Sequence, residues 1–317
     1  MKLIIQVPCL NEAGTLDIAI DALPRTVAGF DTVEWLVIDD GSTDGTADLA
    51  RRLGVHHVIR HPLNRGLATA FMTGLDACLR LGADVIVNTD ADNQYEAADI
   101  PKLTSPILAG EADMVIGARP IDETEHFSWI KKKLQRLGSW AVRTASKTPV
   151  ADAPSGFRAI SRETAMRLTV FNAYTYTLET IIQAGLSNLR VLSVPIRTNP
   201  DLRPSRLVKS ISSYVRRSLV TILRVVVIYR PMKVFAVAGT LLAMMGFLVG
   251  LRFLYYYVTG DGSGRVQSVI LSSLYILLGA MSWMMAILSE LVAVNRKLLE
   301  KLNWRVQRME DSLTDRG

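Results

Sequence analysis

Two apolar runs, joined only by the short link "TGDGSGR", constrain this chain more than any other feature. Residues 232–258 and 266–294 are almost free of charge. As helices, at about 1.5 Å per residue, each is long enough for the ~30 Å hydrocarbon core of a bilayer. A soluble core could also bury two such helices, but helices in soluble proteins rarely stay apolar for so long. The expected arrangement is therefore a transmembrane hairpin over 231–294. Arg252 lies near one end, where it can snorkel, and the Tyr255–Tyr257 run suits an interface.

Charge is distributed around these runs unevenly. Residues 1–201 hold 20 Lys+Arg against 24 Asp+Glu, whereas residues 202–310 hold 15 against 4. The basic excess flanks apolar segments, which points to an anionic membrane surface rather than to nucleic acid. Cations crowd both outer flanks of the hairpin, so both termini are expected in the cytoplasm. The opening "MKLIIQVPCLNEAG" is too briefly apolar for a signal peptide. The two cysteines, Cys9 and Cys78, lack metal or redox spacing and are expected as small core residues of a reducing compartment.

Before the hairpin, Lys209, Arg216 and Arg224 recur along one helical face, which predicts an interfacial amphipathic helix over 207–230 ended by Pro231. After it, Leu302, Val306, Met309 and Leu313 form a stripe on a helix over 295–317. That stripe suits a membrane surface, a second subunit in a homo-oligomer, or one packed face of a solvated helix.

Residues 1–206 form the expected soluble domain. Val/Ile-rich runs "KLIIQVP", "VEWLVIDD", "HHVIRHP", "ADVIVNTD" and "ADMVIGAR" alternate with helical patterns, including "GLATAFMTGLDACLRLG". Such alternation predicts an α/β fold with a mostly parallel sheet covered on both faces. Ligands collect beyond the carboxyl ends of strands in such sheets. The polar segments "PCLNE", "DDGSTDGT", "HPLNRG" and "TDADNQY" all fall at those ends.

"DDGSTDGT" is neither GxxxxGK[ST] nor GxGxxG, which excludes a P-loop and a dinucleotide fingerprint. "DADNQYEAADIP" opens like an EF-hand but places Tyr95 where Gly is required and Pro101 where Glu belongs. There remains a D-x-D, Asp90 and Asp92, on a strand-terminal loop. Alternate residues face the same way, and two carboxylates so placed favour a hard cation, Mg²⁺ or Mn²⁺, bridging to phosphates. Gln94 can add a neutral oxygen. A plain polar turn is the competing reading for the D-x-D alone, and the neighbouring loops weigh against it. Ser42, Thr43 and Asp44 are expected to act as helix caps. His56, His57 and His61 are expected to be structural, because adjacent strand residues point apart.

Pro8-x-x-Asn11-Glu12, "DDGSTDGT", Asn64–Gly66, "DADNQ" and "SGFRAISR", followed by the two apolar runs, resemble the ordered motifs of inverting family 2 glycosyltransferases of the GT-A (Rossmann-like) fold. Within them the chain is similar to polyprenyl-phosphate glycosyltransferases, such as dolichyl-phosphate mannose synthases and undecaprenyl-phosphate sugar transferases. The resemblance implies a nucleotide-sugar donor (UDP- or GDP-linked), a polyprenyl phosphate acceptor, and a bacterial or archaeal cell membrane. Pro8, Glu12, Ile38, Asp40 and Ala91 match nucleotide-binding positions. Asp90, Asp92 and Gln94 match the metal and diphosphate site. Arg119 matches an arginine beside the phosphates. "RPSRL" resembles the family's G-E-S-K-L loop, with Arg203 for Gly, Pro204 for Glu and Arg206 for Lys. Lys131 and Arg136 fall where the family binds the acceptor phosphate, or on a solvated basic helix. Asp92, Arg119 and Arg206 are the residues implied for catalysis. A lipid phosphate is already an oxyanion, so no general base is needed. A hydroxyl acceptor on a membrane lipid and a non-catalytic nucleotide-sugar scaffold are the alternatives.

Overall fold

The computed structural model describes residues 1–120, 139–140, 142–143, 146, 148–170, 176–200, 220, 227, 230–260 and 266–314. The chain divides into two compact units, residues 1–222 with 302–317 and residues 223–301. The expected interfacial helix over 207–230 lies almost wholly outside the described residues. Lys131, Arg136, Arg203, Arg206 and most of the link between the apolar runs lie outside them too.

The first unit is built on seven strands: β1 (Lys2–Cys9), β2 (Thr32–Asp39), β3 (His57–Arg60), β4 (Val85–Asn88), β5 (Met114–Ala118), β6 (Arg158–Ser161) and β7 (Val191–Pro195). Their order is β3-β2-β1-β4-β6-β5-β7. All ladders are parallel except those of β6, which runs antiparallel to both β4 and β5. The five strands expected from Val/Ile-rich runs are all present. Between them lie α1 (Leu16–Asp21), α2 (Thr46–Arg52), α3 (Leu67–Arg80) and, after a 3-10 turn, α4 (Ile100–Leu108). Two further helices, α5 (Arg162–Arg167) and α6 (Thr177–Leu186), follow β6.

The run "KLIIQVPC" is apolar almost throughout because β1 is central and covered on both faces. Leu3, Ile5, Val7 and Cys9 join Trp35, Val37, Val85, Val87, Val115 and Phe157 in one core with Leu16, Ile100 and Leu103. The alternate residues face the other layer. Pro8 lacks an N–H, yet it sits in a central strand. The ladder to β4 ends two residues earlier, at Gln6–Asn88, so the missing donor falls where β4 has diverged. Cys9 and Cys78 are buried free thiols, as expected.

The second unit contains α7 (Pro231–Val258) and the first part of α8 (Val266–Thr314). The two pack antiparallel. Ser282 Oγ donates to Phe235 O at 2.8 Å, and Ser272 Oγ donates to Gly246 O at 2.7 Å. At Gly239 and Gly279 the backbones nearly touch, since a Cβ on either would lie 2.8 Å from the other's carbonyl oxygen. Small residues at the contact and hydroxyls bonded across it are features of helix pairs in lipid. Only 11% of each apolar stretch is buried. Val237, Leu241, Phe247, Leu248, Met284 and Leu291 instead point outward. Both helices are long and apolar enough to cross a membrane. α8 continues unbroken past residue 294, with no Gly or Pro to stop it, and Leu302, Val306 and Met309 of the expected stripe are exposed.

Candidate active site

Parallel pairing brings the carboxyl ends of β1, β2 and β4 to one rim. Hydrogen bonds join the first two loops. Asn11 N donates to Ser42 Oγ (2.8 Å), Glu12 N to Thr46 Oγ1 (3.0 Å), Ala13 N to Asp44 Oδ2 (3.0 Å) and Thr43 N to Asn11 Oδ1 (2.9 Å). Asn11 adopts a left-handed φ of 54°, which Asn tolerates. Of the residues expected as helix caps, Ser42 and Thr43 bond across to this neighbouring loop, and Asp44 does so while also accepting from Thr46 N. The Glu12 carbonyl starts α1, and its carboxylate accepts from Thr15 Oγ1 at 3.1 Å. Thr15 Oγ1 also lies 3.1 Å from Ala91 O, which links the first loop to the D-x-D loop.

Asp40 is nearly fully buried. Its carboxylate accepts from Arg65 N (2.9 Å) and Gly66 N (2.8 Å) and bonds His61 Nδ1 (2.7 Å). It thereby folds the Asn64–Gly66 loop onto the end of β2. Ile38 is fully buried and Pro8 is buried beside it in register. His56, His57 and His61 have separate partners: the Trp35 N–H for His56, Glu34 for His57, and Asp40 with Thr73 for His61. Their structural assignment from alternation agrees with this placement.

Beyond β4 the D-x-D loop is held from two sides. On the outside, Asn199 N donates to Gln94 O (2.9 Å) and its side-chain amide to Asn93 O (3.0 Å). Glu96 N donates to Arg197 O, and Tyr95 bridges Thr198. The Arg197 guanidinium and N–H bind the buried Asp99, with N–H to Oδ2 at 2.7 Å and Nη2 to Oδ1 at 2.8 Å. Burial works to raise the Asp99 pKa, but hydrogen bonds from Arg197 and Lys102 outweigh it and hold it at about 2. Within the loop, Gln94 N donates to Asp92 Oδ1 at 3.1 Å.

On the inside is a buried polar layer. Gln6 Nε2 donates to Asn88 Oδ1, and Asn88 Nδ2 donates to both Gly156 O and Tyr176 Oη, each at 2.9 Å. Gly156 N in turn donates to Tyr95 Oη at 3.0 Å. A Cβ on Gly156 would lie 3.0 Å from both Asp90 carboxylate oxygens and from Tyr176 Oη, so any larger residue would push these groups back by a few tenths of an ångström. Burial, and then the Asp92 charge, push the Asp90 pKa up to about 7, against the pull of Arg119, Arg158 and a Tyr95 hydrogen bond.

Two arginines stand close enough to pull on Asp90. Arg119, just past β5, is gripped by Asp152 through Nε–Oδ2 (2.7 Å) and Nη2–Oδ1 (3.1 Å). Arg158 is fully buried on β6. It donates to Thr180 Oγ1 (2.6 Å), Thr177 O (3.2 Å) and Ser155 O, beneath the Tyr176 ring. Burial lowers its pKa. The family resemblance implied Arg119 for this site, whereas Asn88, Tyr95, Arg158 and Tyr176 were given no role. The one available signal was an arginine inside the apolar strand pattern "GFRAIS".

The residues present fit a divalent cation. Asp90 and Asp92 supply hard oxygens, and burial followed by the Asp92 charge raises the Asp90 pKa, a cost that a divalent cation would offset. Among the described residues no cluster of three or more His, Cys, Asp or Glu side chains is formed. Mg²⁺ and Mn²⁺ keep waters and take phosphate oxygens rather than fill their sphere from protein.

Polar loops and a carboxylate pair gather at the C-terminal rim of a mostly parallel sheet, the place where α/β enzymes bind their ligands. Residues 4–169 match glycosyl transferase family 2, and the chain belongs to that family. It is 28% identical over 206 residues to the polyprenol monophosphomannose synthase of Mycolicibacterium smegmatis, covering 62% of this chain and 76% of that one. It is 27% identical over 206 residues to the undecaprenyl-phosphate mannosyltransferase of Micrococcus luteus, covering 62% and 83%. Its fold is shared with glucosyl-3-phosphoglycerate synthase from Mycobacterium tuberculosis, solved with Mn²⁺, UDP and glucosyl-3-phosphoglycerate (TM-score 0.54, 24% identity, 70% of this chain and 79% of that one). The mostly parallel sheet expected of a GT-A fold is thus present, and the protein is a glycosyltransferase.

Proposed function

We propose that this enzyme transfers one sugar, with inversion, from a nucleotide sugar to the phosphate of a membrane polyprenyl phosphate on the cytoplasmic side. The names of the two relatives support the acceptor class. The observation that carries it is Asp152: both its oxygens are bound by Arg119, so this buried carboxylate is not placed to take a proton from a hydroxyl. A phosphate acceptor has no proton to give up, and one of its oxygens attacks the anomeric carbon as the bond to the diphosphate breaks. The work left for the protein is positioning and charge stabilisation.

Asp90 and Asp92, with Gln94 in support, would hold Mg²⁺ or Mn²⁺, which when bound neutralises the departing nucleoside diphosphate. A structural neighbour solved with Mn²⁺ and UDP is consistent with that. Pro8, Glu12 and Ala91 border the nucleotide. Ile38 and Asp40 act from beneath, Asp40 by holding the Arg65–Gly66 backbone. Arg119, fixed by Asp152, faces the phosphates. Asn199, bound to the D-x-D loop, starts the stretch that leads to Arg203 and Arg206, and these complete the proposed cation set with Lys131 and Arg136. The apolar pair α7–α8 anchors the chain, and the cations flanking it support a cytoplasmic position for both termini.

The test is purified protein with Mg²⁺ or Mn²⁺, a panel of UDP- and GDP-sugars, and undecaprenyl or dolichyl phosphate. The expected product is a glycolipid whose sugar is released by mild acid. A labelled lipid stable to mild acid would indicate a hydroxyl acceptor, and no labelled lipid with any donor would overturn the proposal.

A further inference from the structure

The last part of α8 carries an apolar stripe on one side and its own chain's contact on the other. The apolar span ends at Arg296, and the helix continues to Thr314 through the polar text "KLLEKLNWRVQRMEDSLT". Of the seven apolar residues in that text, five recur at alternating steps of three and four: Leu299, Leu302, Val306, Met309 and Leu313. This is the a/d repeat of a coiled coil, with Leu299, Val306 and Leu313 at a and Leu302 and Met309 at d. Trp304 then falls at f, across the helix from the seam. There the helix meets the glycosyltransferase unit, since the Arg167 guanidinium at the end of α5 sits 4.9 Å over the Trp304 ring. Leu299, Leu302, Val306 and Met309 are all exposed. The packed face is therefore not the stripe.

We infer that this seam pairs, in parallel, with the same seam of a second copy of the chain. A membrane surface is the rival occupant. A helix that leaves a membrane span must turn to lie along the interface, and α8 has no Gly or Pro after Gly279 at which to turn. An a/d stripe is also the narrow seam of a coiled coil rather than the broad face of an interfacial helix. Leu298, at g, borders it. Charge favours a parallel partner. Arg305 occupies g and Glu310 occupies e, five residues on, which is the spacing at which g of one strand faces e of its parallel mate. Two copies thus gain two pairs of opposite charge. Two copies held in one membrane by the same spanning helix also point the same way, a step that rests on the anchoring proposed above. The frame runs back into the span through Asn295, Val292, Leu288 and Met285, all exposed, so the seam is continuous across the boundary. Asn295 is its one polar member and meets its own counterpart in the pair, which sets the register.

The test is oxidative cross-linking with copper phenanthroline of the full-length protein, kept in membranes, with single cysteines placed along the helix. Cys9 and Cys78 are buried and do not compete. Leu299→Cys, Leu302→Cys, Val306→Cys and Met309→Cys are each expected to give a disulfide-linked dimer, because a and d residues meet their own counterparts. Glu300→Cys and Gln307→Cys, at b, are expected to give none. Arg305→Glu should lower the yield at Leu302→Cys, and adding Glu310→Arg should restore it. A yield that stays low refutes the parallel register. Equal yields around the helix, or none at the seam, overturn the pairing. Seam cysteines that remain unlinked and are shielded by lipid from an aqueous maleimide overturn it in favour of the membrane surface. Alkaline extraction separates this inference from the anchoring it rests on. Release of the protein from the membrane removes the anchor, whereas retained protein without a seam cross-link removes only the pairing.

Discussion

Arg119 and Asp152 form a two-pronged ion pair, with Nε to Oδ2 at 2.7 Å and Nη2 to Oδ1 at 3.1 Å, in which the carboxylate is buried and the guanidinium 15% exposed. The planar fork fixes the guanidinium as well as neutralising it. Asp152→Asn keeps the shape and removes the charge. Activity is expected to fall on the order of 10²-fold through misplacement of Arg119. Stability should fall by about 3 kcal/mol, because a largely buried cation loses its partner. Steady-state transfer kinetics and chemical denaturation check the two effects, and unchanged kcat in a folded variant refutes the positioning role.

Asp90 makes the metal-free protein sensitive to pH in a defined direction. Its folded pKa is about 7, raised by burial and by Asp92, against an ordinary value near 4. The folded state therefore holds the proton more tightly than the unfolded one. Stability from this group is fully present below about pH 4 and is lost as pH rises through about 7. Cation binding needs the ionised carboxylate, so Mn²⁺ affinity should climb up to about pH 7 and flatten above it. Calorimetric titration at several pH values, with proton release recorded, tests this, and a flat profile between pH 5 and 8 contradicts it.

Asp99 shows the opposite sign. Arg197 and Lys102 hold its pKa at about 2, so its stabilisation is present above about pH 4 and is lost as pH falls through about 2. Asp99→Asn should cost about 1–3 kcal/mol at neutral pH, mostly from its hydrogen bonds, because Arg197 and Lys102 are largely solvated. The gap between variant and wild-type melting temperatures should close as pH drops from 4 to 2. A gap that persists at low pH argues against the ion-pair account.

At the α7–α8 contact, Gly279→Leu places a side chain where a Cβ already lies 2.8 Å from Gly239 O and 2.9 Å from Ala243 N. The helices must separate. Membrane insertion, which depends on each apolar stretch, should survive, whereas thermal stability in detergent should fall. Loss of insertion and retention of stability are the outcomes that count against this packing.

Periodicity and composition were enough to place five strands, helices α2, α3 and α4 between them, the two apolar spans, and a carboxylate pair beyond a strand end. Those features depend on local alternation and on run length, which neighbours in sequence carry. What lies around the pair does not depend on neighbours in sequence. β6 enters the sheet antiparallel between β4 and β5. It sets Arg158 opposite Asn88 in register and brings Gly156 from 61 residues away to Tyr95. Asp152 reaches Arg119 across 33 residues. The sequence by itself determined that Asp90 and Asp92 would follow the end of a strand, because strand and turn preferences are local. Only the tertiary structure decided that a phenol, a glycine backbone and two arginines surround them, because strand order is chosen by burial of whole faces.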